Sequence, residues 1–195
     1  MPSGTYLHLD GEIEETFQCA PGAGGWRYVG TRADGVRTDL VVDGRWRQIR
    51  VEVAAGERWV RGGVTGNELA WVRAAGGTGD EHGARAAAFV GESPAFLVAV
   101  ARWLRLEPGA QRDVALVRLG GPSLAALTVR QRWRLADVTE HATETAPLPV
   151  ERYEVADLET AEAWAVHLAG DVVLDAPGIE LAALASPPNL VTGGA

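Results

Sequence analysis

Residues 91–108, GESPAFLVAVARWLRLEP, decide how the rest of the chain is read. Ser93 suits a helix N-cap, and Pro94 suits the first helical position, where a missing N–H is no loss. Between Ala95 and Leu106 the only charged residues are Arg102 and Arg105. A surface helix shows a polar face, so a segment apolar nearly all round belongs inside. Pro108-Gly109 stops it. It is too short to cross a bilayer, which needs about 20 apolar residues. The reading is a helix over 93–106 that plugs the interior.

What surrounds that plug reads as β-sheet. Before it, Thr5–Leu9 and Glu12–Cys19 are strand candidates, the second with acidic outward positions, and Pro21–Gly25 is a loop. Trp26–Arg32, Val36–Val42, Arg45–Val53, Arg58–Val64 and Leu69–Ala74 follow, broken by Gly-containing turns such as Asp43-Gly44. Short β-rich runs at this spacing predict an antiparallel meander. Within Arg45–Val53, Ile49, Val51 and Val53 share a face with Arg45 and Arg47, which calls for either a bulge or a strand buried on both faces. Gly76–Gly83 reads as a flexible glycine-rich connection, and Ala86–Val90 as a strand entering the helix. After the helix come strands at Asp113–Leu119, Leu124–Leu135, Arg152–Leu158, Val172–Asp175 and Ile179–Leu184. Thr139–Pro149 reads as a loop, and Ala163–Leu168 as a strand that also fits a short helix. The fold class is therefore mainly β (α+β), a rolled antiparallel sheet around one central helical segment. One domain over 1–185 is expected, with a disordered tail over 186–195.

Composition narrows the function classes. At 195 residues the chain buries roughly 70% of its unfolded surface without staples. Eighteen basic residues against 26 acidic leave a net charge of −8, which argues against a nucleic-acid partner. Every basic residue is Arg, the bias of a GC-rich genome. The single Cys19 offers no disulfide framework and no thiolate metal site. The N-terminus has neither a basic nor an apolar leader region, so a cytoplasmic protein without a transmembrane segment is expected.

Catalytic motifs are weak. Gly91-Glu92-Ser93-Pro94-Ala95 approaches a nucleophile elbow, but the last Gly is Ala95, and Pro94 has no N–H to lend to an oxyanion hole. The four histidines make no HxH or HxxxH pair, so no metal or cofactor is expected. Arg130-Gln131-Arg132-Trp133-Arg134 places three arginines on one strand face and Gln131 with Trp133 on the other. The arginines read as an outward row balanced by acids on neighbouring strands. A Gln on an apolar face is costly unless paired, so Gln131 and Trp133 are candidates to line a cavity. Phe96 and Trp103 are candidates on the helix, and Trp46 and Arg47 repeat the Trp-Arg theme.

The order of these elements resembles a bacterial family described as glycolipid-binding, of unassigned activity. The resemblance rests on Ser93-Pro94, Arg102-Trp103-Leu104, Gln131-Arg132-Trp133 and Asp175-Ala176-Pro177-Gly178. Upstream it adds Asp43-Gly44-Arg45-Trp46-Arg47, Arg50-Val51 and Trp71, covering roughly 11–184. It implies a spiral or rolled antiparallel sheet enclosing a cavity. Where that family has Thr-Asn, this chain has Phe96-Leu97; its inner Pro is Val100 and its second Arg is Trp103. The expectation is non-enzymatic binding of a lipid-like or other amphipathic small molecule by Trp46, Arg47, Phe96, Leu97, Arg102, Trp103, Gln131 and Trp133. The rivals are an interaction module or homodimer formed through a sheet edge, and an enzyme of unknown class.

Overall fold

Alternating side chains separated by tight turns fold here into one continuous ladder. The structure, a computed structural model, describes residues 1–22, 24–143 and 146–190. Its first eight strands are β1 (Ser3–His8), β2 (Ile13–Gly22), β3 (Gly25–Arg32), β4 (Arg37–Asp43), β5 (Gln48–Ala55), β6 (Arg58–Thr65), β7 (Glu68–Ala75) and β8 (Thr78–Ala84). A short β9 (Ala88–Val90) leads into the helix α1 (Pro94–Leu104). The return half is β10 (Gln111–Gly120), β11 (Ala125–His141), β12 (Leu148–Asp157), β13 (Ala163–Ala169), β14 (Val172–Ala176) and β15 (Ile179–Leu184).

The protein is mainly β: among the described residues all 15 strands form one sheet in the order β8 to β1, then β15 to β9. Among the described residues only the β9–β10 pair is parallel. The chain thus starts mid-sheet and runs out to β8. It then crosses through β9 and α1, and returns strand by strand until β15 pairs with β1. Inward residues alternate as the pleat demands, for example Trp26 and Tyr28 on β3, and Val129, Gln131, Trp133 and Leu135 on β11.

The two halves meet away from the ladder. Gln48 on β5 accepts a hydrogen bond from the Phe89 N–H at 2.6 Å and donates to the Phe89 carbonyl at 3.0 Å. Phe89 sits on the edge strand β9, whose other side pairs with β10, so an amide side chain supplies the missing rung. Arg73 on β7 reaches the Ser123 carbonyl in the β10–β11 turn at 2.9 Å. A sheet that brings β5 onto its own far edge has to curl. Helix α1 packs against β4, β9 and β14, with Ala95, Phe96, Val98, Ala99, Val100 and Leu104 buried.

Several sequence expectations change. The helix ends at Leu104 because Arg105 takes the left-handed conformation (φ 48°), two residues before the turn that closes at Ala110. Ser93 precedes the helix with extended backbone, but its hydroxyl makes no cap bond. It donates instead to the buried Glu15 carboxyl at 2.8 Å. Gly76–Gly83 is not a loose connection: Gly76 and Gly77, both at positive φ, make the hairpin turn into the exposed edge strand β8. The Arg45–Val53 strand starts only at Gln48. Asp43 accepts from the Arg45 and Arg47 amides at 2.9 Å each, which winds 44–47 into a turn with Trp46 at φ 63°. A bulge at Ile49 then sends Gln48 inward and Ile49 outward. β11 and β12 extend to His141 and from Leu148, which shortens the Thr139–Pro149 loop from both ends. Ala163–Leu168 is strand, paired on both sides. Within the stretch read as a tail, the Asn189 amide and side chain both donate to Asp171 at 2.8 Å; residues 191–195 lie outside the described residues.

Candidate functional site

A cavity of about 520 Å³ opens where the start of α1 meets β1, β10, β11, β13 and the β14–β15 turn. Its apolar wall is Leu97, Leu119, Trp133, Trp164 and Ile179. Trp133 is completely buried, edge-on to Tyr153 at 5.9 Å. Burial, with help from the nearby Glu151, pushes the Tyr153 hydroxyl up to about 12.

Gln131 shows how the strand orients a polar group here. It lies two residues before Trp133 on the same inward face, and its Oε1 accepts from the Trp133 indole at 3.0 Å. An indole only donates, so the amide oxygen must face it. The amide nitrogen is left with no partner among the described residues, in a side chain 6% exposed that lines the cavity. Arg118 on β10 lines the same space with no ion pair among the described residues; its charge reaches Asp157 at longer range. Arg32 is engaged, pairing with Asp34 at 2.7 Å and with Glu92.

Behind His8, which lines the cavity, lies a buried polar cluster. Glu15, 1% exposed, accepts at Oε1 from the Tyr28 and Ser93 hydroxyls, both at 2.8 Å. Its Oε2 lies 2.7 Å from the His8 Nε2. Burial foremost, then the Glu15 charge, lifts the Tyr28 hydroxyl well above its ordinary value, so it stays a donor. Gly30 makes the room: a Cβ there would lie 2.1 Å from the Glu15 Oε1. His8 lines the cavity, and its Nδ1 has no partner among the described residues.

Of the residues expected to share a site, Leu97, Gln131 and Trp133 line this cavity. Phe96 lines a neighbouring cavity of about 240 Å³, which shares Arg32, Gly91, Glu92 and Leu119 with the first. Arg47 and Trp103 border a separate hollow of about 960 Å³ on another side of the fold. Trp46 packs on Trp26 with ring centroids 5.5 Å apart. Arg102 is taken: it bonds Glu151 at 2.8 Å and the Gly170 carbonyl at 3.1 Å, fastening α1 to the strands beneath. The outward arginine row is as read, with Arg132 on Asp113 at 2.7 Å and Arg134 on Glu154 at 2.8 Å.

His8, Glu15 and Arg118 were not singled out by sequence. The signal for Glu15 was present: Phe17 and Cys19 face inward, and a period of two puts Glu15 with them while Glu14 faces out. The same period joins His8 to Tyr6 on β1.

No family model matches the chain, and neither does any curated protein. Among solved structures, a DUF1089-family protein from Pseudomonas aeruginosa is similar in fold. The TM-score is 0.57 at 16% identity, over 84% of this chain and 89% of that one. No described helix is long and apolar enough to cross a membrane.

Proposed function

We propose that the chain binds an amphipathic small molecule in the cavity walled by Leu97, Trp133 and Trp164, with its polar head against His8, Gln131 and Arg118. The observation that carries this reading is a concave space with an apolar, aromatic wall on one side and polar groups on the other, a form that suits an amphipathic small molecule. The head is best read as neutral and rich in hydroxyls. Asp10, Glu92 and Glu162 line the cavity against Arg32 and Arg118, and Arg32 is already paired. An anionic head would meet no net positive field, whereas sugar or glycerol hydroxyls find both donors and acceptors. This agrees with the glycolipid label of the family the sequence resembles. The edge strand β8 carries Asp80 and Glu81, and charge on an edge opposes strand pairing, which disfavours the homodimer reading.

The test is titration with octyl glucoside and a 1-O-alkyl glycerol below their micelle concentrations. Saturable change in tryptophan fluorescence and a raised melting temperature are expected, since a ligand bound only to the native state stabilises it. Leu97→Trp should fill the cavity and Gln131→Leu should remove a donor; both should weaken binding while the protein remains folded by circular dichroism. Absence of a saturable response to either probe overturns the reading.

A further inference from the structure

The His8–Glu15 pair does more than a structural cluster requires. Glu15 Oε1 is occupied by two hydroxyl donors, so Oε2 is the acceptor left for the imidazole. A carboxylate in that position takes the Nε2–H, so in the neutral imidazole the lone pair sits on Nδ1. That nitrogen belongs to a residue lining the same cavity as Gln131, whose amide nitrogen has no hydrogen bond among the described residues, and Arg118, which has no ion pair among them. An oriented base with unspent donors opposite is the arrangement of a proton-transfer site. A cluster serving only to pin α1 to β2 would end at Ser93, Glu15 and Tyr28, and would not need an imidazole opening onto the cavity.

We propose that His8, positioned by Glu15, is a general base that activates water to hydrolyse a neutral acyl ester with a polyol head seated in the cavity. The inference rests on the binding reading above. Water passes a proton to the His8 Nδ1 as its oxygen attacks the acyl carbon, and the carbonyl π pair moves onto the carbonyl oxygen. Gln131 Nε2 and Arg118 are the donors for that oxyanion. On collapse the acyl C–O bond breaks, the leaving alkoxide takes the proton back from His8, and a carboxylic acid and an alcohol result. No oxidant, reductant or further reactant is needed. Ser93 is not the nucleophile, because it lines the neighbouring cavity and not this one.

The experiment follows hydrolysis of monooctanoyl glycerol and 4-nitrophenyl octanoate by the full chain, with octyl glucoside, which has no ester, as the binding control. Wild type should turn over both esters. His8→Gln should lower kcat about 10²- to 10⁴-fold, the usual contribution of a general base, a much larger change than the weakening of octyl glucoside binding from loss of one of its three head contacts. Added imidazole should restore part of the rate to His8→Ala, a rescue that a merely structural role would not give. Glu15→Gln, which touches no substrate, should lower kcat with little change in KM and alter the pH–rate profile. If octyl glucoside binds and neither ester is hydrolysed faster than by His8→Gln, the activity is overturned and the binding reading stands. If octyl glucoside does not bind and no ester is cleaved, both fall.

Discussion

Replacing Gln48 with Leu tests the junction that makes the sheet curl. The side chain is 1% exposed, and its two bonds to Phe89 replace what would be a backbone rung between β5 and β9. Leu keeps most of the volume but leaves the Phe89 N–H and C=O without partners in a fully buried strand. Each unsatisfied group costs about 1–3 kcal/mol. The gain from burying an apolar side chain in place of an amide offsets about 1 kcal/mol of that. A net loss of about 1–5 kcal/mol should appear in equilibrium urea unfolding. Amide exchange adds a local readout, because the Phe89 N–H should lose protection while the amides of the β3–β4 ladder change only by the global amount. Gln48→Glu should be worse than Leu, since a carboxylate can accept from the Phe89 N–H but repels the carbonyl. A loss below about 0.5 kcal/mol, the level of an ordinary surface change, with Phe89 still protected, would refute the claim that this side chain closes the sheet.

Gly30→Ala should cost about 1–3 kcal/mol, the usual range for overpacking, because its Cβ would meet the Glu15 Oε1 at 2.1 Å; urea unfolding measures it. Trp103→Ala should cost only about 1–2 kcal/mol, less than a fully buried indole, since Trp103 is half-buried at the rim of a hollow; a loss above 3 kcal/mol would mean it is packed. Burial opposes ionisation of Asp34 and Asp39, yet Arg32, and Arg27 with Arg50, outweigh it and hold both carboxyls below their ordinary value of 3.8. Their folded values lie below the unfolded ones, so this stability is fully present above pH 3.8 and is lost as pH falls through the folded values. Melting temperature should therefore drop below about pH 4, and less steeply in high salt.

Strands and the buried helix were legible because burial imposes a period that one chain segment displays by itself. Turn chemistry was legible where Asp-Gly punctuates, and failed where the turn consumed its neighbours. Asp43 draws 44–47 into its loop through its own carboxylate, and nothing in Arg45-Trp46-Arg47 announces that. The edge strand β8 was missed because it is exposed and glycine-bearing, and so has no apolar face to read. The site was half legible. Gln131 and Trp133 could be paired from their spacing on one strand. Arg102 looked available for a ligand only because its partners, Glu151 and Gly170, lie far along the chain. Glu15 was legible in principle, since Phe17 and Cys19 fix its face, but a Glu is assigned outward by habit.

Four polar residues of this fold, Ser93, Arg102, Gln48 and Asp171, share one property: each joins elements that the ladder leaves apart. Ser93 ties the start of α1 to β2 through Glu15, and Arg102 ties its last turn to β12 and the β13–β14 turn. Gln48 ties β5 to β9, and Asp171 gathers the Trp26 indole at 3.0 Å with both Asn189 donors. A curled sheet buries one face on itself, but apolar contact is non-directional and would tolerate sliding of one wing over the other. Directed bonds between distant strands fix the curl. Gln131 and His8 are not pins of this kind, since their bonds run within β11 and to the adjacent strand β2. Each is bonded at one end, to Trp133 and to Glu15, and bare at the other. Both bare ends belong to residues lining the same cavity. Leaving a polar atom unsatisfied there costs stability unless water or a ligand satisfies it. Substituting Gln131 by Leu separates these costs. If the amide only served Trp133, the variant should lose about 1–3 kcal/mol for the buried indole N–H left without a partner, and octyl glucoside should bind unchanged. If the amide meets the ligand head, binding should weaken severalfold beyond any change in folding.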